Sequence, residues 1–362
     1  MNKSIPLNSI DNNARPYGIF MTYLLTCLGV AVFIITKLFE KTERLYTSAP
    51  SRLPQKRHVV IFATLATCSL FSTWGFMFQY FQWSYNNWLT VRSQHDLDPT
   101  VKHWGLWLKE TSLFREAWES VIVGHNRYWW SHQIFYWACA LGLHLEWKGV
   151  RRGITYTWAF MLLGQIVAIS FATNLYFLTL LLSPPQQQPI TPNPKEFTNP
   201  KESRSEAPEL APVSKPRKWL GPWLIDGLSV TNTYAAANCL SRENYWNGSP
   251  GFMPLLLVPH VVLLILPMAR AILPAKFFPI GDPKTVNKIY KFLWTSNFTF
   301  VGQLVWTTYK AYLAGNLGGI RDALLEHPAV GSVGFDVIFC WISWICWWQI
   351  QSDKSSYVMS DL

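Results

Sequence analysis

Apolar runs of about 20 residues, nearly free of charge, dominate this chain at roughly 17–36, 59–83, 129–147, 156–182, 252–273, 291–314 and 329–350. Inside a bilayer only helices and closed barrels satisfy their own backbone polar groups, and a crossing helix needs about 20 apolar residues where a barrel strand needs about 10. The run lengths therefore predict an all-α fold, a polytopic transmembrane helical bundle of about seven spans. Composition agrees, because only 14% of residues are charged against about 25% in soluble domains.

An eighth stretch, 220–240, is broken by Pro222, Asp226 and a run of Ser, Thr and Asn, and loop charge decides how it is counted. With seven spans and an outside N-terminus, the basic loops 37–58, 148–155 and 274–290 all face the cytoplasm, as the positive-inside rule requires. An eighth span would move 274–290 outside, so 220–240 is assigned to the interface. The net charge of +10 resides in juxtamembrane clusters such as RLPQKR (52–57) and KGVRR (148–152). These orient spans in a lipid bilayer and give no reason to expect a nucleic-acid partner.

Segment 183–218 is rich in Pro, Gln, Glu and Lys and poor in large aliphatics, so it cannot bury a core and is expected to be a disordered linker. It separates residues 1–182, which hold four spans and an interfacial segment at 104–127, from 219–362, which hold the 220–240 segment and three spans. No internal repeat relates the two parts, which disfavours an inverted-repeat transporter. The first apolar run continues to Lys37 without a small-residue cleavage site and is taken as a span, not a signal peptide. The six cysteines lie mostly within apolar runs and show no CxxC spacing, so they are expected to pack rather than to form disulfides or bind zinc.

Chemistry concentrates in LFREAWESVIVGHNRYWWSHQIFYW, residues 113–137. At 100° per residue Leu113, Phe114, Ala117, Trp118, Val121 and Ile122 share one face, while Arg115, Glu116, Glu119 and Ser120 share the other. This amphipathic helix is too short to span. Its polar face either meets water, with Arg115 and Glu119 paired at i, i+4, or turns inward over a cavity where a desolvated carboxyl keeps its proton. Trp129, Trp130 and their neighbours form an aromatic belt for the third span. His125 and His132 lack partners at metal-ligand spacing, and no metal site is expected.

Asp336 is the one acidic residue well inside a clear span, an expensive position that marks a functional candidate. His260, beside Pro259 in a proline-bent span, could face a cavity. Candidates for acid or base are Glu116, Glu119, Asp226 and Asp336, with Arg115, Arg127, His132, Trp118 and Trp130 as substrate-binding partners. Asn247 in NGS is a glycosylation sequon on the expected lumenal side. The chain has no DDxxD or NDxxD pair, GxSxG elbow, P-loop, HExxH or dinucleotide fingerprint, so diphosphate ionisation is disfavoured. Acid/base chemistry on an apolar molecule dissolved in the membrane fits this inventory.

The strings SLFREAWESV with RYWWSHQIFYW, WAFMLLGQIVAISFATNLYFL (158–178) and PAVGSVGFDVIFCWISWICWW (328–348) resemble the fungal integral-membrane terpene cyclases of the ascofuranone and macrophorin type. The similarity covers most of the chain outside the linker. It implies cyclisation of a farnesylated aromatic or epoxycyclohexenone, begun by protonating an epoxide or alkene and ended by proton loss or internal oxygen capture. It also implies that no metal or organic cofactor is required, an endoplasmic-reticulum location, a lipophilic prenylated substrate, and an upstream prenyltransferase and epoxidase in the same secondary-metabolite pathway. Another cofactor-free isomerase of lipophilic substrates, or a transporter or receptor, is the alternative.

Overall fold

The computed structural model describes residues 14–48, 50–92, 102–183, 221–242, 249–274, 277–278, 283–297 and 299–360, which are helical with no strand among them. Four helices are long and apolar enough to cross a membrane: α1 (Ala14–Ser48), α2 (Lys56–Arg92), α9 (Phe252–Ile272) and the Pro328–Gln351 part of α12 (Pro328–Ser360). Most of the expected linker lies outside the described residues.

The axis of the bundle is α5 (His125–His144), which is buried along most of its length. It runs from a mouth end, where the short helices α3 (Trp104–Glu110) and α4 (Leu113–Ile122) sit, to a basic end carrying Lys148, Arg151 and Arg152. Hydrogen bonds fix the direction of its neighbours. Tyr128, at the start of α5, donates to the carbonyl of Ala237 near the end of α8 (Gly221–Leu240). Glu146, just past the end of α5, instead meets Arg270 near the end of α9 at 2.6 Å. α8 is therefore antiparallel to α5, and α9 parallel. α8 packs along α5 but is not one of the four helices long and apolar enough to cross a membrane.

The run 156–182 also departs from expectation. It is two short helices, α6 (Thr157–Ile166) and α7 (Ile169–Leu181), and the second returns to the end where the first began. Tyr23 of α1 donates to the Ile166 carbonyl at the tip (2.9 Å), whereas Lys41 of the same helix reaches Ser183 at the exit (2.6 Å). Eighteen residues of helix separate those two contacts, about 27 Å at 1.5 Å per residue. A Cβ on Gly149 would meet both Thr157 at the entry and Tyr176 on the return, at 3.4 and 3.3 Å. No glycine or proline makes the break. Ala168 is extended (φ −169°, ψ 137°), and the freed N–H groups of Ile169 and Ser170 bond to the Asp336 carboxylate of α12, at 3.0 and 2.7 Å. A helix that starts inside an apolar bundle needs such an acceptor for its unpaired N–H groups.

α10 (Pro283–Ser296) and α11 (Thr299–Glu326) run back along α5 from Asn287, bonded to Trp147 and Arg151, to Thr308, bonded to Trp129. α11 then kinks at Gly315 and Asn316. Asn316 takes φ 59° and ψ −171°, a region that is costly for a residue with a Cβ. The last turns of α11 lie over the start of α5, where Trp130 donates to the Ile320 carbonyl (2.8 Å) and Arg127 pairs with Glu326 (2.8 Å). α12 runs parallel to α5. Its Trp344 and Trp347 complete an aromatic core with His144 and Phe177, the last stacked on Trp347 at 4.5 Å.

Candidate active site

The re-entrant tip of α6 and α7, the outer half of α1 and the apolar face of α4 enclose a cavity of about 830 Å³. Arg15 and Lys109 stand at its mouth, Gln165 to Ile169 and Asp336 at its base. Between them the walls are mainly apolar or aromatic, with Phe20, Tyr23, Tyr80, Phe81, Trp118 and Phe135 among the lining rings. The volume lies in the usual range for small-molecule sites, about 300–1,000 Å³.

Asp336 is 7% exposed. One carboxylate oxygen accepts from Ile169 and the other from Ser170, so the group sits on the positive end of a half-helix dipole. His260 enters from α9, its ring edge-on to Trp118 at 5.8 Å. Its Nδ1 lies 2.8 Å from the Leu256 carbonyl. A carbonyl only accepts, so Nδ1 carries the hydrogen and Nε2 keeps a free lone pair as a proton acceptor.

Of the sequence candidates, Asp336, Trp118 and His260 meet at this cavity, and the others lie elsewhere. The polar face of α4 turns away: Glu116 accepts from the Ser112 N–H (2.8 Å), and Glu119 pairs with Arg115 (2.7 Å), both side chains of that pair being more than a third exposed. Arg115 also stands 5.9 Å from the Phe252 ring. Arg127 is engaged by Glu326 and by the Ser120 carbonyl. His132 is buried between the Tyr128 carbonyl and Thr307 (both 3.1 Å), and Trp130 packs beneath α11. Asn247 lies outside the described residues.

Asp226 belongs to a different cluster. It stands near the start of α8, where Tyr290 donates to its Oδ2 at 2.7 Å. A void of about 10 Å³, room for about one water, separates Asp226 from Glu146, which is held by Arg270. Glu146 and Arg270 were not singled out from the sequence, although a carboxylate in LHLEWKG and a cation in PMARAI, each at the end of an apolar run, were legible as potential partners.

Where α11 meets α12, His327 caps α12 through Nδ1, which accepts the Ala329 N–H at 3.2 Å, and its ring lies edge-on to Trp83 at 4.4 Å. Burial pushes its pKa down to about 4, and the Arg127 charge acts in the same direction. The hydrogen bond from Arg127 holds Glu326 below the usual carboxylate range. Among the described residues no three His, Cys, Asp or Glu side chains converge on a metal-sized site. No protein-family model, curated protein or solved structure matches this chain.

Proposed function

We propose that this protein is a membrane-embedded terpene cyclase acting on a farnesylated aromatic or epoxycyclohexenone intermediate. The observation that carries the proposal is the buried carboxylate of Asp336 at the base of a large cavity walled by aromatic rings. In its protonated form Asp336 transfers a proton to the epoxide oxygen or terminal alkene carbon. The epoxide C–O bond opens, or the alkene becomes a cation, and the next double bond supplies the electron pair that closes the ring. The N–H groups of Ile169 and Ser170 stabilise the carboxylate left behind, which makes the proton easier to give. Ring faces such as those of Trp118 and Phe135 stabilise the travelling cation, and the apolar walls keep water from capturing it. The reaction ends when a carbon-bound proton passes to Nε2 of His260, or when an internal oxygen captures the cation and releases its proton. That proton returns to Asp336, and the product is an isomer of the substrate.

The same reading places the chain in the endoplasmic reticulum with seven crossings: α1, α2, α5, α8, α9, the α10–α11 pair and α12. The basic end is cytoplasmic and the cavity mouth lumenal. Upstream, a prenyltransferase and an epoxidase would supply the substrate.

Microsomes expressing the chain should convert an epoxyfarnesyl phenol to a cyclised compound of identical mass. Asp336→Asn should lower the rate about 10²- to 10⁴-fold, the scale of a lost general acid, with the protein still in the membrane. Absence of any isomer across several prenylated phenols would overturn the proposal. A half-helix N-terminus deep in the bundle is also how transporters bind substrates, and uptake of substrate into sealed vesicles without isomerisation would favour that second reading.

A further inference from the structure

The two buried acids away from the main cavity, Asp226 and Glu146, take no part in the cyclisation. Both line the void of about 10 Å³, together with Ser229, Leu263 and Pro267. Glu146 is 4% exposed; its Oε2 takes Arg270, while its buried Oε1 has no hydrogen-bond partner among the described residues. Ser229 gives its hydroxyl hydrogen to the Ile225 carbonyl at 2.8 Å, which leaves an oxygen lone pair for the void. Pro267 frees a further oxygen. It has no N–H to give the Leu263 carbonyl one turn earlier, so that carbonyl loses its helix bond at the wall of the void.

These oxygens all accept, and Cys139 alone brings a hydrogen to the lining, on a weakly donating thiol. The charges point the same way. The described side chains bring two carboxylates and one guanidinium to this cluster, a surplus of one negative charge in an apolar bundle. A water would leave that surplus in place, whereas a single positive charge removes it. The ligands are hard oxygens, and no three His, Cys, Asp or Glu side chains among the described residues gather for zinc. Calcium would overshoot the charge and takes about six to eight oxygens, more than a void the size of one water can present. Carbonyls freed from a broken helix are what coordinate sodium in membrane transporters. We propose that this void binds one sodium ion, which ties α5, α8 and α9 together through Glu146, Asp226, Ser229 and the Leu263 carbonyl. The competing source of the charge is a proton on one of the two acids.

The test uses the full chain, purified in detergent at one fixed pH and constant ionic strength, with sodium chloride replacing choline chloride while melting temperature and uptake of radioactive sodium are followed. Wild type should take up sodium saturably, with a melting temperature that rises in step, and potassium should do neither at the same concentrations. Asp226→Asn removes the surplus charge and one charged ligand, so it should weaken sodium uptake at least tenfold and melt in choline no earlier than wild type. If it melts early, Ser229→Ala takes its place, with sodium uptake weakened and melting in choline unchanged. Uptake equal to wild type in the variant that folds would remove the site. A wild-type melting temperature identical in sodium and choline would overturn the proposal, and a rise on acidification in choline would then make the proton the source. Turnover is not the readout, and Asp336 does not line this void, so the outcome is independent of the cyclase reading.

Discussion

A single carboxylate does two things in this molecule. Asp336 terminates the backbone hydrogen bonding of a broken helix and is also the acidic group at the base of the main cavity. It was legible in the sequence because an aspartate amid SVGFDVIFCW has few innocent explanations. Glu116 and Glu119 were as conspicuous, yet a helical wheel divides a helix into faces without saying what lies beyond each. Only the packing of α4, with Leu113, Ala117 and Trp118 toward the cavity, places the two glutamates outside it. Glu116→Gln and Glu119→Gln should therefore keep turnover within about twofold of wild type. Glu119→Gln should change stability by no more than about 1 kcal/mol, the ceiling for an exposed pair. Progress curves and thermal melts of the two variants check both statements. His260 was visible only as a histidine beside a proline, and its free Nε2 follows from a hydrogen bond that no sequence displays.

Helix packing sets the next level, where small residues decide how closely helices approach. α12 crosses α2 at Gly331, where an added Cβ would lie 2.7–3.1 Å from three ring atoms of Phe76, itself stacked on Phe335 at 5.1 Å. The next residue, Ser332, donates to the Thr73 carbonyl at 2.9 Å. Gly331→Ala should cost about 1–3 kcal/mol through overpacking and lower the melting temperature in detergent. Gly75, with nothing within 4 Å of its would-be Cβ, should accept alanine with a gain of about 0.4–1 kcal/mol. At the start of α12 the cap depends on a neutral imidazole. The folded-state pKa of His327, about 4, lies below the ordinary value of about 6.5, so the unfolded chain binds the extra proton first. Its contribution to stability is complete above about pH 6.5 and is lost as pH falls toward about 4. Melting temperatures recorded across that window should decline in wild type and flatten in His327→Asn, which keeps a capping oxygen and cannot titrate.

For the molecule as a whole, hydropathy located the helices, and the run 156–182 is where the structure departs from it most. It cannot separate a run that crosses from one that turns back, because the break at Val167 and Ala168 has no glycine or proline, and its cap comes from a residue 168 positions later. In 220–240 hydropathy shows Asp226 only as an interruption, and it is packing that gives this carboxylate the polar setting of Tyr290 and the adjacent Glu146–Arg270 pair. The basic segment 148–155 and the segments flanking 275–282 stand together at the end where Lys41 meets Ser183. The arrangement makes a prediction for single-cysteine labelling of intact microsomes. Cysteines placed at 151, 200 and 280 should react with an impermeant reagent from the cytoplasmic side, and one at 126 should stay protected. A deglycosylation mass shift that disappears in Asn247→Gln would place the α8–α9 connection opposite to them. Reaction at 126 together with protection at 200 would reverse the assignment.

The re-entrant pair has one more consequence. A helix that enters and leaves by the same side contributes nothing to the parity of the thread, so everything downstream keeps its orientation whether α6 and α7 are present, shortened or replaced. Through-spans lack that freedom, since losing one would invert all that follows. The element that Asp336 caps, and that floors the main cavity, can therefore be shortened or redesigned without changing the end of the bundle from which the later helices start.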